Sequence, residues 1–88
     1  MLIHYTRRFL KDAEKAPEKI RRNFYERLKI FENDKFYSQL NNHALCGKYS
    51  GSRSINITGN WRAVFKEKNN GKEILFIGLG THSQLYKK

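Results

Sequence analysis

The chain ends on "GLGTHSQLYKK", which sets His82 and Tyr86 four residues apart directly after the apolar run "ILFIGL". A histidine of ordinary pKa can give or take a proton near neutrality, and a tyrosine offers a face on which an unpaired base can stack. The same pair could also close a strand end, with the tyrosine packed beneath the histidine. Arg62 in "NWRAVF" is the third candidate. Strand alternation puts Trp61, Ala63 and Phe65 on one face and Arg62, Val64 and Lys66 on the other. From the middle of a central strand, its guanidinium could clamp a phosphate and stabilise the extra charge that builds up during displacement, or it could be an ordinary surface arginine.

Other polar residues surround these three in the sequence. Ser54 and Asn56 alternate with the apolar Ile55 and Ile57, while Arg53 falls on the apolar register unless a bulge turns it. Asn56 and Asn60 can hydrogen-bond a ribose or a phosphate but cannot serve as acid or base, and Asn60 beside Gly59 also suits a turn. His43 in "LNNHALCG" is expected in a loop ahead of the strands, either facing the same cleft or capping a turn. Lys48, Lys66 and Lys68 could add phosphate contacts or stand as solvated charges. His4 has no partner visible in the sequence. The three histidines and one cysteine fall at unrelated spacings, so no metal site or cofactor is expected, and the glycines form neither a P-loop nor a dinucleotide fingerprint.

These residues need a scaffold, and the hydrophobic pattern predicts one. "LIHY" reads as a short strand. Thr6 is a candidate N-cap for a first helix with Phe9, Leu10 and Ala13 on its inner side. Pro17 suits the first turn of a second helix, whose stripe of Ile20, Phe24, Leu28 and Phe31 runs to about Asn33. Three antiparallel strands then follow, broken at "TGN" and "NNGK". The expected architecture is α+β in the order β-α-α-β-β-β: a helical hairpin on one face of a small, mainly antiparallel sheet, with the other face free.

The 88 residues are expected to form one domain, residues 1–88, too small for a large internal cavity. Lys and Arg number 18 against 8 Asp and Glu, an excess of +10 that points to a polyanionic partner. Residues 35–88 hold 9 basic and only 2 acidic side chains, so binding is expected in the second half. Cys46 can make no intramolecular disulfide and is expected as a small, partly buried residue. The N-terminus lacks the long apolar segment of a signal peptide and no membrane-spanning run occurs, so a cytoplasmic protein is expected.

The segments "LNNHALCGKYSGSRSINITGNWRAVF" and "GLGTHSQLY" resemble the RelE/ParE toxin superfamily of bacterial type II toxin–antitoxin systems, and its YafQ-like branch above all. The resemblance implies a RelE-like fold and a toxin that cuts messenger RNA in the ribosomal A site without a metal, by attack of a ribose 2′-hydroxyl on the adjacent phosphate. It implies catalytic roles for His82, Arg62 and His43, and substrate contacts from Tyr86, Asn56, Asn60, Arg53, Lys48 and Lys66. Where the YafQ branch has a second histidine in the strand this chain has Asn56, and where it has an aspartate before the tryptophan this chain has Asn60. That leaves His82 and His43 as the expected titrating groups, assisted by Arg62.

The partners implied are mRNA on the ribosome, a small antitoxin that covers the basic surface, and operator DNA reached only through the antitoxin complex, with no membrane. Two other functions fit the sequence. One is a ParE-like toxin of the same fold that binds a protein target such as DNA gyrase, and the other is a basic RNA-binding module without chemistry.

Overall fold

The computed structural model describes residues 1–86. Its elements in order are β1 (Leu2–Tyr5), α1 (Arg7–Lys15), α2 (Glu18–Asn33), β2 (His43–Ala44), β3 (Arg53–Thr58), β4 (Trp61–Lys68), β5 (Glu73–Thr81) and α3 (His82–Tyr86). Short 3-10 turns at Ser38–Leu40 and Gly47–Tyr49 flank β2. The strands form one sheet in the order β1-β5-β4-β3-β2, with β1 parallel to β5 and the other pairs antiparallel. The α+β architecture with a helical hairpin over one face is as the sequence predicts. Two elements are additional: β2, which takes His43 out of the expected loop and into the edge strand, and the terminal helix α3.

Each helix begins where its sequence allows. Thr6 Oγ1 accepts a hydrogen bond from Phe9 N at 3.1 Å and caps α1. Pro17 occupies the N-cap of α2, one residue earlier than expected, and the C-terminus of α1 is closed by Arg21 Nη1, which donates to the carbonyls of Ala13 and Ala16. The buried stripe runs through Phe9, Ala16, Ile20, Phe24 and Phe31. Leu10, expected to face inward, is 56% exposed, because it stands about a quarter-turn from Phe9 and the inner face is already filled at that position.

The core is aromatic. Phe76, in the middle of β5, has the rings of Tyr5, Phe9, Phe24, Phe31 and Phe65 within 6.0 Å, centroid to centroid. Burial, and secondarily Tyr25 and Glu32, raises the pKa of the Tyr5 hydroxyl beside it. Ile55 and Ile57 of β3 and Ala63 and Phe65 of β4 complete this layer, as their alternation predicts. A bulge between Val64 and Phe65 shifts the register against β5, so that Leu79 returns to the helical side.

The opposite face is not wholly free. Tyr49, Val64 and Leu85 are buried there, with Leu45, Ile77 and Tyr86 packed against them, and this second small core anchors the chain's last helix. Among the described residues, no helix is long and apolar enough to cross a membrane.

Candidate active site

A helix of five residues cannot hold itself together in water, so α3 must be ordered by its surroundings. Thr81-His82-Ser83-Gln84 forms a capping box: Thr81 Oγ1 accepts from Gln84 N at 3.2 Å and Gln84 Oε1 accepts from Thr81 N at 2.9 Å. Leu85, fully buried, lies over β5 where the strand carries Gly78 and Gly80. A Cβ at Gly80 would come within 3.1 Å of Gln84 Oε1 and 3.4 Å of Leu85 Cγ, so glycine is what lets α3 lie so close to the strand. Gly80→Val should lift α3 and slow any reaction that depends on His82 by about 100-fold, as misplacements of about 1 Å do. Circular dichroism should remain native, since the aromatic core lies on the other face.

The turn between β3 and β4 sets two side chains at once. Gly59 takes a left-handed φ of +53°, and its carbonyl accepts from Arg62 Nη1 at 2.9 Å. The Trp61 carbonyl accepts from the same nitrogen at 3.0 Å. The next carbonyl, that of Asn60, accepts from His82 N at 2.8 Å and ties the start of α3 to the turn. Among the described residues only Nη1 of Arg62 is engaged, and no carboxylate lies within 4 Å of its guanidinium. The turn therefore bends the side chain while leaving it donors for an anion. One helical turn beyond His82, the Tyr86 ring meets the imidazole edge to face with centroids 4.7 Å apart.

His43 arrives from the other end of the sheet. Asn41 adopts a left-handed φ of +46°, and its carbonyl lies 2.8 Å from His43 Nδ1. A carbonyl only accepts, so Nδ1 carries the proton and the neutral ring presents Nε2 as an acceptor.

These residues share an open cleft of about 440 Å³, lined by Asn41, His43, Ala44, Leu45, Cys46, Arg62, His82 and Tyr86. Four of the nine residues singled out in the sequence thus meet, from β2, β4 and α3. The other five lie outside the lining. Asn56 is the cross-strand neighbour of Arg62, with its Oδ1 buried, and Asn60 contributes its backbone to the turn. Arg53 stays on the apolar register at the start of β3, without a bulge to turn it. There its Nε donates to Asn42 Oδ1 at 2.8 Å and its guanidinium covers the Phe36 ring at 5.4 Å. Lys48 lies over the Tyr49 ring at 5.4 Å, and Lys66 is exposed.

Cys46 corrects an expectation. It is exposed in the cleft wall rather than partly buried, because the turn that follows sends Tyr49 into the core in its place. With Tyr86 it adds two titratable groups to the two histidines. Nothing in its spacing signalled this, whereas the T-x-x-Q capping pattern that builds α3 was readable. Among the described residues no carboxylate lines the cleft, so the charge they give it is that of Arg62 and of any protonated histidine. Among the described residues no three His, Cys, Asp or Glu side chains gather as metal ligands.

A family model described as the bacterial toxin of type II toxin–antitoxin systems, YafQ, matches residues 1–87. The crystal structure of YafQ from E. coli strain BL21(DE3) superposes with a TM-score of 0.80 at 20% identity, over 96% of both chains. A YoeB/ParE toxin from Agrobacterium tumefaciens gives a TM-score of 0.77 at 19% identity, over 93% of this chain and 99% of that one. A chain of the E. coli DinJ–YafQ toxin–antitoxin complex gives 0.76 at 22% identity, over 96% and 94%. No curated protein sequence matches the chain. The structural likeness establishes a RelE-like toxin fold, and the match along nearly the whole sequence establishes more: the chain belongs to the YafQ family of bacterial type II toxins.

Proposed function

We propose that this toxin is a ribosome-dependent mRNA endoribonuclease whose chemistry is carried by His43, Arg62 and His82. The observation that carries the reading is the convergence of two imidazoles and a guanidinium in one cleft that no carboxylate lines among the described residues. A negatively charged RNA strand can enter it without meeting a like charge, and Arg62 offers donors to a phosphate oxygen.

In this reading the neutral His43 uses Nε2 to take the proton from the ribose 2′-hydroxyl, which attacks the adjacent phosphorus. Arg62 stabilises the charge added to the phosphate as the fifth oxygen bonds. His82, protonated, delivers a proton to the departing 5′-oxygen, leaving a 2′,3′-cyclic phosphate and a free 5′-hydroxyl. Tyr86 stacks on a base beside the scissile bond and holds the strand in register. The RNA supplies its own nucleophile, so the step needs no activated water.

The partners follow from the same reading. Substrate is mRNA in the ribosomal A site, in the cytoplasm. E. coli YafQ forms a toxin–antitoxin complex with DinJ, and a comparable small antitoxin, acidic enough to cover this surface, would neutralise this toxin and bring it to operator DNA. Inducing the toxin in growing cells tests the function: total protein synthesis should stop within minutes while plasmid supercoiling is unchanged. Lost supercoiling with intact messages would favour a ParE-like gyrase target instead.

A further inference from the structure

A closed ring of contacts joins the first helix to the tip that carries His82. It begins where β5 outruns its neighbour. The last residue pair of β1 with β5 is Tyr5 with Phe76, so the N–H of Leu79 has no strand beside it, and Asp12 Oδ2 accepts from it at 3.0 Å. Arg8, one helical turn before Asp12, sets Nε 3.7 Å from the same carboxylate oxygen. Its Nη2 donates to the Tyr49 hydroxyl at 3.1 Å. The Tyr49 ring, 6% exposed, meets Tyr86 edge to face at 5.7 Å and 87°, and Tyr86 meets His82 at 4.7 Å. From His82 the backbone runs through Thr81 and Gly80 back to Leu79.

We propose that Arg8 and Tyr49 are positioning residues for His82, an inference that rests on the nuclease reading above. His82 is exposed on a very short helix, and its capping box fixes the backbone of that helix but not the imidazole. The ring takes its orientation from Tyr86. Tyr86 in turn packs on Tyr49, and edge-to-face geometry is sensitive to the angle of the supporting ring. That angle is set by the hydroxyl, which Arg8 holds, and Arg8 is held by a carboxylate anchored to the backbone of β5. The ring therefore ties the imidazole to the strand that carries it by two routes, through the chain and through side chains. A structure held at both ends keeps a proton donor within the small tolerance that catalysis demands. The same contacts explain why α1 bears an arginine whose only carboxylate partner among the described residues is Asp12, although it is not itself part of the cleft lining.

Single-turnover cleavage on programmed ribosomes tests this with three variants. Tyr49→Phe keeps the ring and its charge state and removes only the hydroxyl. Arg8→Gln removes the guanidinium from a half-exposed site, and Tyr49→Leu removes the ring. The expected result is a maximal rate slowed about 10-fold by each of the first two and about 100-fold by the third, with the ribosome concentration giving half-maximal rate unchanged. The Arg8→Gln/Tyr49→Phe double variant should be no slower than Arg8→Gln alone, because the bond that Tyr49→Phe removes is already broken there. Unchanged maximal rates in the folded variants, additive losses in the double variant, or an effect confined to half-maximal concentration would overturn the proposal.

The imidazole proton signals of His82 give a readout that does not depend on activity. They should move in all three variants as the ring leaves its place on Tyr86, and signals that stay fixed would overturn the proposal. A wild-type protein that cuts no message, yet shows those shifts, would retire the nuclease reading while supporting the positioning role.

Discussion

His82→Ala is expected to slow single-turnover cleavage of ribosome-bound mRNA by about 100- to 10,000-fold, the range that a positioned general acid or base contributes. The fold should not notice. The imidazole is exposed, and what orders α3 is the capping box, the buried Leu85 and the hydrogen bond from the residue-82 backbone to the Asn60 carbonyl, all of which survive truncation to alanine. The melting temperature should therefore stay within a few degrees of wild type. Arg62→Ala should cost about 100- to 1,000-fold by removing the cation at the phosphate, again with little change in stability, since its Nη1 bonds only to carbonyls of its own turn. A His82→Ala protein that cuts at the wild-type rate would remove the histidine from the chemistry.

The largest expected loss of stability comes from the opposite face of the sheet. Phe76→Ala should cost about 3–5 kcal/mol, the usual range for emptying a buried phenylalanine site. Here the upper part of that range applies, because five other rings pack on this one and cannot all collapse into the space it leaves. Domains of this size hold about 5–15 kcal/mol in total, so the variant should lie near its unfolding midpoint in low urea. Urea titration by circular dichroism checks this, and a shift smaller than about 1 kcal/mol would mean that the aromatic layer is far more adaptable than its close contacts imply. Val64→Ala, which opens only the small second core, should cost much less.

What could be read from the sequence depended on how local the deciding interactions are. Thr6, the stripe from Ile20 to Phe31, and the alternation around Ile55 and Ile57 each report on their own element, and the structure uses each of them as read. Arg62 was assigned to the correct face by alternation alone. Leu10 faces outward against expectation because a nine-residue helix offers too few turns to distinguish Phe9 from its neighbour as the inward residue. The pairing of β2, and with it the place of His43, could not be seen, since two residues carry no period and the strand exists only because β3 offers an edge. Cys46, expected partly buried, is exposed while Tyr49 is buried for a similar reason, as a 3-10 turn has no pattern to read. The T-x-x-Q pattern at Thr81 and Gln84 is by contrast a local signal in the sequence for the start of α3. Arg53 sits on the apolar register because Phe36 and Asn42, which lie in a segment without periodicity, make that position tolerable for a charge.

These observations connect the cleft to a single chemical requirement. Arg62 and the backbone of His82 are both set by the turn at Gly59 and Asn60, His43 is held by Asn41, and α3 lies close to the sheet over Gly80, where a side chain would crowd Gln84. On the proposed reading, the sheet brings His43, Arg62 and His82 to one place from distant parts of the chain to serve as base, cation and acid, and the message would supply the nucleophile.

Primer extension on a defined message in a purified translation system tests that directly. With the folded, antitoxin-free toxin, new 5′ ends should arise inside A-site codons, only on messages that ribosomes are translating, and should vanish with His82→Ala. No cuts from the wild-type protein, or the same cuts on naked RNA and with His82→Ala, would contradict it.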